Sequence, residues 1–382
     1  MIYVGNKSGK AREIKSIKTG VNGVAKNVVN GWIGENGVAK RIYSQNRSAF
    51  AVTATGYMKV QITGVGVALN WGDGSEVERP VDLVTTTLEH TYSDSGQYHL
   101  TISGRIRALK FRDSTGLLAV ETPLPTLTTY REMFYGCTSL TTAPALPATT
   151  LTDYCYYNMF RGCTSLTTAP ELPATTLAIN CYSSMFDDCT SLTTAPALPA
   201  TTLTIGCYSS MFSGCTSLTT APALPATTLT DSCYTQMFDG CTSLTTAPAL
   251  PATTLTDWCY YRMFHGCTSL TTAPELPATT LAERCCESMF TNCTSLTTAP
   301  ALPATTLTDN CYFSMFRGCT KIKLSTTQTG DYQTPYRIPS SGTGTAGTNS
   351  LKDMFSNTGG TFTGTPAINT TYYTSNTVIP AT

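Results

Sequence analysis

The chain has 382 residues and balances 24 Lys+Arg against 24 Asp+Glu, so its formal net charge is zero. Only 13% of the residues are charged, about half the usual share of roughly 25%, which excludes a polybasic nucleic-acid binder and an acidic solvating tail. With 41% hydrophobic residues there is material for a sizeable core, and the length suggests two or three domains. Threonine takes over the surface role that charge does not fill, in the recurring strings LTTAP and LPATTL. The opening MIYVGNKSGKAREIK has no apolar run of signal-peptide length, and no window reaches about 18 apolar residues. The expectation is a protein made in a cytoplasm, with no membrane insertion.

Residues 1–46 hold a short duplication, GVNGVAK from Gly20 and GENGVAK from Gly34. Asn-Gly between apolar runs is the strongest short-range hairpin signal, so this segment reads as small β-hairpins with Trp32, Ile33, Ile42 and Tyr43 on their apolar faces. It carries eight Lys/Arg against two Glu. Either this is a solvated basic surface, or Lys15, Lys18, Lys26, Trp32, Lys40 and Arg41 dock on an acidic partner. The GVNGVA repeat resembles N-terminal segments of phage and prophage structural proteins.

From residue 47 to 112 apolar residues alternate in AVTATGYMKVQITG, followed by LNWGDGSEV and LEHTYSDSGQYHLTISG. The WGDGS and HTY-x-x-x-G-x-Y-x-L-x-I strings resemble a PKD domain, which implies an immunoglobulin-like β-sandwich acting as a spacer. Trp71 and Tyr98 are then core residues, and Gly72, Asp73 and Gly74 a tight turn. Asp73 as a calcium ligand is the alternative to Asp73 as a turn former.

The dominant feature follows. MFxxCTSL begins at Met133, Met159, Met185, Met211, Met237, Met263 and Met289, a constant period of 26 residues, and Met315 opens an eighth, decaying copy. One unit, Cys137 to Gly162, reads CTSLTTAPALPATTLTDYCYYNMFRG. Its first part, with Pro144 and Pro147, suits a short strand and an extended segment. Its second part predicts a helix of about two turns, capped by Thr152 and Asp153 and closed by Gly162. On that helix Cys155, Tyr156, Met159, Phe160 and Cys163 share an inner face, while Tyr154, Tyr157, Asn158 and Arg161 point outward. Such units bury their apolar faces only by stacking, which predicts a solenoid over residues 113–319. Strands stack about 4.8 Å apart and helices about 10 Å, so the array should curve with its helices on the convex side. The fold class expected is therefore mainly β with short helices.

The run MFxGCTSLTTxPxLP with its cysteine-bearing second half resembles the BspA-like leucine-rich-repeat family, over about Met133 to Cys319. Members of that family are mostly bacterial surface and adhesion proteins, which implies a binding role. Fifteen of the 16 cysteines obey the period, and Cys286 alone stands where other copies have Tyr. Eight residues of helix separate Cys155 from Cys163, too far for a disulfide, so the expected role is a ladder of small buried residues. No C-x-x-C is present to suggest zinc.

Chemistry is sparse. The three histidines, His90, His99 and His265, fall in different settings, and no phosphate-binding glycine loop occurs, so neither enzyme activity nor a cofactor is expected. Variation between copies concentrates on the outward positions, where recognition and neutral drift are equal readings. Tyr154, Tyr157, Asn158, Arg161, Trp258, Tyr261, Arg262, His265, Arg284, Phe313 and Arg317 are the candidate partner-binding residues, rich in the aromatic and Arg types that anchor interfaces. The repeated Thr141/Thr142 rows are a second candidate surface, for glycans. Residues 320–382, rich in Thr and Gly, read as a degenerate cap around Met354 and Phe355.

These signals together point to a non-enzymatic virion protein, a fibre, spike or decoration, made in the host cytoplasm. It would dock on other virion proteins through its N-terminus, form a homo-oligomer, and present its repeats to a host-surface glycan or protein. A BspA-like adhesin on a bacterial cell surface, or a purely structural scaffold, are the alternatives.

Overall fold

The computed structural model describes residues 49–375 throughout and, before them, the backbone of six strands between residues 2 and 44. Met1–Ala49 and Phe50–Thr382 are separate compact units. In the first, β1 (Ile2–Gly5) pairs with β2 (Ala11–Ile14), β3 (Lys18–Val21) with β4 (Val24–Asn27), and β5 (Asn30–Glu35) with β6 (Val38–Ser44), all antiparallel. The pairs Val21↔Val24 and Glu35↔Val38 leave two residues between the strands, the duplicated Asn-Gly in each case. Lys18, Lys26, Trp32, Lys40 and Arg41 lie on these strands, but Lys15 and the side chains of all six candidate docking residues fall outside the described residues.

Residues 50–120 form one five-stranded antiparallel sheet, where the sequence predicts two packed sheets. The strands are β7 (Phe50–Ala54), β8 (Tyr57–Asn70), β9 (Thr86–Thr91), β10 (Tyr98–Lys110) and β11 (Leu117–Val120), in the order β11-β7-β10-β8-β9. Strict alternation puts Met58, Val60, Ile62, Leu100 and Ile102 on the buried face. Trp71 is buried as expected, and Tyr98 is half-buried, stacked on Tyr92 at 4.3 Å. Asp73 shapes its turn by accepting hydrogen bonds from the Ser75 hydroxyl and amide, at 2.6 and 3.0 Å. Those two bonds, with a third to His90, hold its carboxyl down at about 2.

No second sheet is needed because the repeats themselves continue the core. Phe111, at the end of β10, stacks on Phe134 at 5.9 Å, and its N–H donates to the Met133 carbonyl. The sheet therefore closes the open end of the array directly and is not a spacer.

The predicted helices are absent: among the described residues every cysteine-bearing segment is a chain of β-turns. In the segment from Thr152 to Cys163 the amides of Cys155, Tyr157, Met159, Arg161 and Cys163 each donate to the carbonyl three residues back. The alternate amides, of Tyr154, Tyr156, Asn158, Phe160 and Gly162, instead donate to the next copy, at Ile179, Cys181, Ser183, Met185 and Asp187. Every fourth residue has positive φ: Tyr154 at 59°, Asn158 at 54° and Gly162 at 73°. The same three positions are left-handed in each later copy, where Gly206, Asn180, Asn310, Ser184, Asp188 and Asn292 are among their occupants. Left-handed residues at this interval forbid an α-helix and make type II turns alternate with other turns. Asp153, expected to serve a helix dipole, accepts the Ile179 amide of the next copy at 3.0 Å.

The result is eight turn layers, the first holding Phe134 and the eighth Phe316. One Phe per layer stacks at 5.5–5.8 Å from Phe134 to Phe316, and the row ends on Phe355 at 5.5 Å. A parallel row, Tyr130 to Tyr260, runs at 5.3–6.2 Å and breaks at Cys286. Both rows keep a β-like spacing, so the source of curvature expected from helices about 10 Å apart is missing. The predicted strand shrinks to single paired residues, Thr142↔Thr168↔Thr194 and Thr220↔Thr246↔Thr272, because the prolines beside them remove ladder donors.

All 16 cysteines are buried free thiols. Those of the CTSL motif donate Sγ–H to a Phe carbonyl of the preceding layer at 3.0–3.1 Å, as Cys163 does to Phe134. At the far end, residues 348–356 supply a ninth set of acceptors, including Ser350 for Tyr312 and Met354 for Phe316. Beyond them β12 (Thr306–Leu307) pairs in parallel with β15 (Thr345–Ala346), and β13 (Leu324–Ser325), β16 (Thr371–Ser375) and β14 (Tyr332–Arg337) form a small sheet. Tyr336 meets Phe355 edge-on at 5.9 Å and shields the last ring.

Candidate recognition surface on the turn wall

Because the layers are parallel and in register, residues 26 apart are neighbours, and the outward turn positions form rows along one wall. On the second layer Tyr154 and Tyr157 make an edge contact at 5.7 Å, with the Arg131 guanidinium 5.5 and 4.9 Å from the two ring centres. Tyr154 is 40% exposed. Arg161 pairs with Asp187 at 3.0 Å and lies 5.9 Å from the Tyr135 ring. Asn158 differs from expectation: it is buried, with its Oδ1 unpartnered, because a turn and not a helix sets its direction.

The sixth layer repeats the arrangement. Trp258 meets Tyr261 edge-on at 4.9 Å, and Arg284 covers the indole at 4.9 Å while pairing with Glu287 at 3.0 Å. Arg262 and His265 share Asp239, at 3.1 and 2.7 Å. Phe313 and Arg317 stand two layers further on, with Lys352 6.0 Å from the Phe313 ring. The structure therefore gathers the eleven candidates into two clusters, one around Tyr154 and one from Trp258 to Arg317. It adds Arg131, Tyr135, Asp187, Asp239 and Glu287, which sequence reasoning missed; the 26-residue offsets of Arg161–Asp187 and His265–Asp239 were the available signal.

The Thr rows lie elsewhere on the layers. Thr193, Thr245 and Thr297 each donate their hydroxyl to the carbonyl one period back, at 3.3–3.4 Å, which ties up these hydroxyls along the stack. The histidines have separate partners, Asp73, Glu121 and Asp239. Among the described residues no group of three or more His, Cys, Asp or Glu side chains is placed to hold a metal ion.

One carboxyl on the wall is out of balance with its setting. Asp187 is only 9% exposed, and burial raises its pKa to about 6 in spite of Arg161. The unfolded chain ionises it near 3.8, so only below about pH 3 are both states protonated and the penalty absent. The penalty grows as pH rises and is complete above about 6. Asp187→Asn is expected to leave stability nearly unchanged at pH 3 and to raise it by about 1–2 kcal/mol at pH 7.5, after allowance for solvent screening. Urea unfolding of both proteins at the two pH values measures it; an equal gain at both would contradict the assignment.

A regular stack of 26-residue layers with a buried Leu, Phe and Cys ladder and a variable wall defines a repeat protein of the leucine-rich kind. The family model described as BspA type leucine rich repeat region matches in six copies, over residues 101–219, 128–268 and 179–323, which together span more than half of the chain. The protein belongs to this family, whose repeats mark it as a surface-adhesin-type repeat protein. No curated protein and no solved structure matches it.

Proposed function

We propose that the chain is a non-enzymatic recognition module that binds a cell-surface partner through its turn wall. One observation carries this reading. Tyr154, Trp258, Arg262 and Arg284 sit at left-handed positions, with φ of 59°, 60°, 50° and 53°, where other copies use Gly206, Asn180, Asn310, Ser184 and Ser232. A bulky side chain there costs about 1–2 kcal/mol, and strain of this kind gathers where a side chain is presented for use. Each strained ring is also half-exposed beside an Arg, the pairing that anchors interfaces.

The test uses residues that the array itself supplies. Tyr154→Asn and Trp258→Asn are expected to raise the stability of the full chain by up to about 1 kcal/mol each while weakening its binding to a panel of bacterial cells and polysaccharides by tenfold or more. Gain of stability with unchanged binding would show the wall to be a bystander, and would favour the scaffold reading.

A narrower reading places the module on a virion, docked through residues 1–46 and facing a host cell. The GVNGVA duplication is its support. Mass spectrometry of purified particles tests it, and absence of the chain from them would leave the cell-surface adhesin as the setting.

A further inference from the structure

The five-stranded sheet has one closed edge and one open edge. On the closed side β11 meets the repeats, where the Thr141 amide reaches the Leu118 carbonyl at 3.5 Å. On the open side β9 pairs only with β8, in a register that includes Met58↔His90 and Val60↔Leu88. The Tyr92 amide donates to the Gly56 carbonyl at 2.9 Å, which continues this ladder and fixes its phase: even-numbered residues turn their backbone groups toward β8. Thr87, Glu89 and Thr91 therefore aim their amides and carbonyls off the sheet. All three residues are exposed, and among the described residues these groups have no backbone partner.

The same edge is apolar. Eight large hydrophobic side chains are exposed among the described residues, and five of them, Val65, Val77, Val81, Leu83 and Val84, belong to β8 or to the connection from β8 to β9. The Leu83 amide donates to the Gly64 carbonyl at 2.8 Å, and the Asp82 carboxylate accepts the Gly66 amide at 2.7 Å, so the connection is pinned beside Val65. Leu83 is held there at a φ of 62°, a left-handed conformation that strains a bulky residue, with its side chain presented to solvent. The strand itself, TTLEHT, has no proline, lysine or bulge to blunt its edge. An unpaired strand beside a group of exposed apolar side chains marks a surface that another chain covers.

We infer that β9 is a dimerisation strand, pairing antiparallel with β9 of a second copy of this chain across a two-fold axis. The strand complements itself when Leu88 stands opposite Leu88 of the second copy. Thr87 of each chain then lies opposite Glu89 of the other, and their outward amides and carbonyls exchange hydrogen bonds. In this register each Thr87 hydroxyl faces a carboxylate to which it can donate, and the two half-buried Leu88 side chains cover each other. Centring the pair on Glu89 instead sets two like charges directly opposite, which disfavours that register. A dimer carries two turn walls and gains avidity from them, a consequence that alone rests on the recognition reading above.

Sedimentation equilibrium of the full chain at micromolar concentration is expected to give twice its 40.8 kDa. Thr87→Pro removes an outward amide and leaves the β8 ladder whole, and Leu83→Gly removes an apolar side chain from a conformation that glycine adopts freely. Each should weaken dimerisation by roughly tenfold or more, while thermal unfolding of the dissociated chain stays cooperative. Should the proline variant fail to fold, the glycine variant carries the test alone. A chain that stays monomeric overturns the inference and leaves the edge to a foreign strand. A trimer overturns it too, as does a dimer that either variant, folded, fails to weaken.

Discussion

None of the sixteen thiols is expected to react with a thiol-directed dye in the native protein, and all sixteen should react once it is unfolded in guanidinium chloride. Every one is buried, and burial pushes Cys181, Cys207, Cys233, Cys311 and Cys319 up to about 12. The thiolate is the nucleophile, and at pH 8 a thiol with that pKa is ionised in about one molecule in ten thousand. Access and ionisation therefore act together, and the CTSL thiols are further engaged with Phe carbonyls. Cys285 and Cys286 are the weak point. Cys286 interrupts the tyrosine row, and its hydrogen bond to Cys285 lowers the latter while raising Cys286 itself. Labelling that appears first at Cys285 marks local opening there; rapid native labelling along the whole row would refute a closed core.

Phe212→Ala should cost about 3–5 kcal/mol and divide the unfolding of the array. The Phe212 ring is fully buried and stacked between Phe186 at 5.7 Å and Phe238 at 5.8 Å, so its removal leaves a cavity that neighbouring layers, tied by five amide bonds each, have little freedom to fill. Layers in a solenoid contact only their neighbours, and stability is close to a sum of layer and interface contributions. Breaking the fourth layer separates one half anchored on the β-sheet from another anchored on the C-terminal cap. Urea unfolding followed by circular dichroism should show two steps where the parent shows one. A single step with a loss below about 1 kcal/mol would mean that the Phe ladder is not the source of cohesion.

The candidate surface was partly legible. Variation between copies within the chain pointed to Tyr154, Trp258 and Tyr261, and the structure leaves all three in contact with solvent. Variation alone did not reveal pairing, because Arg161–Asp187 and Arg262–Asp239 join different layers. It also misjudged Asn158, whose position is variable in sequence yet buried in the fold.

The period of 26, the membership of each residue in a row, the burial of Leu, Met, Phe and Cys, and the Asn-Gly hairpin register all follow from the sequence alone. These are local or repetitive properties: a period puts like residues together whatever conformation the unit adopts. What it left open was the conformation of Thr152–Cys163. A chain of β-turns repeats every four residues and a helix every 3.6, so both bring Cys155, Met159 and Cys163 to one side over so short a stretch. Only the stacked neighbour decides between them. In a helix the amides bond within the segment; here alternate amides find the next layer's carbonyls at about 3 Å, and that gain holds Tyr154, Asn158 and their equivalents in the left-handed region. The same long-range contact decided that the five-stranded sheet needs no partner sheet, since Phe111 finds its apolar cover on Phe134.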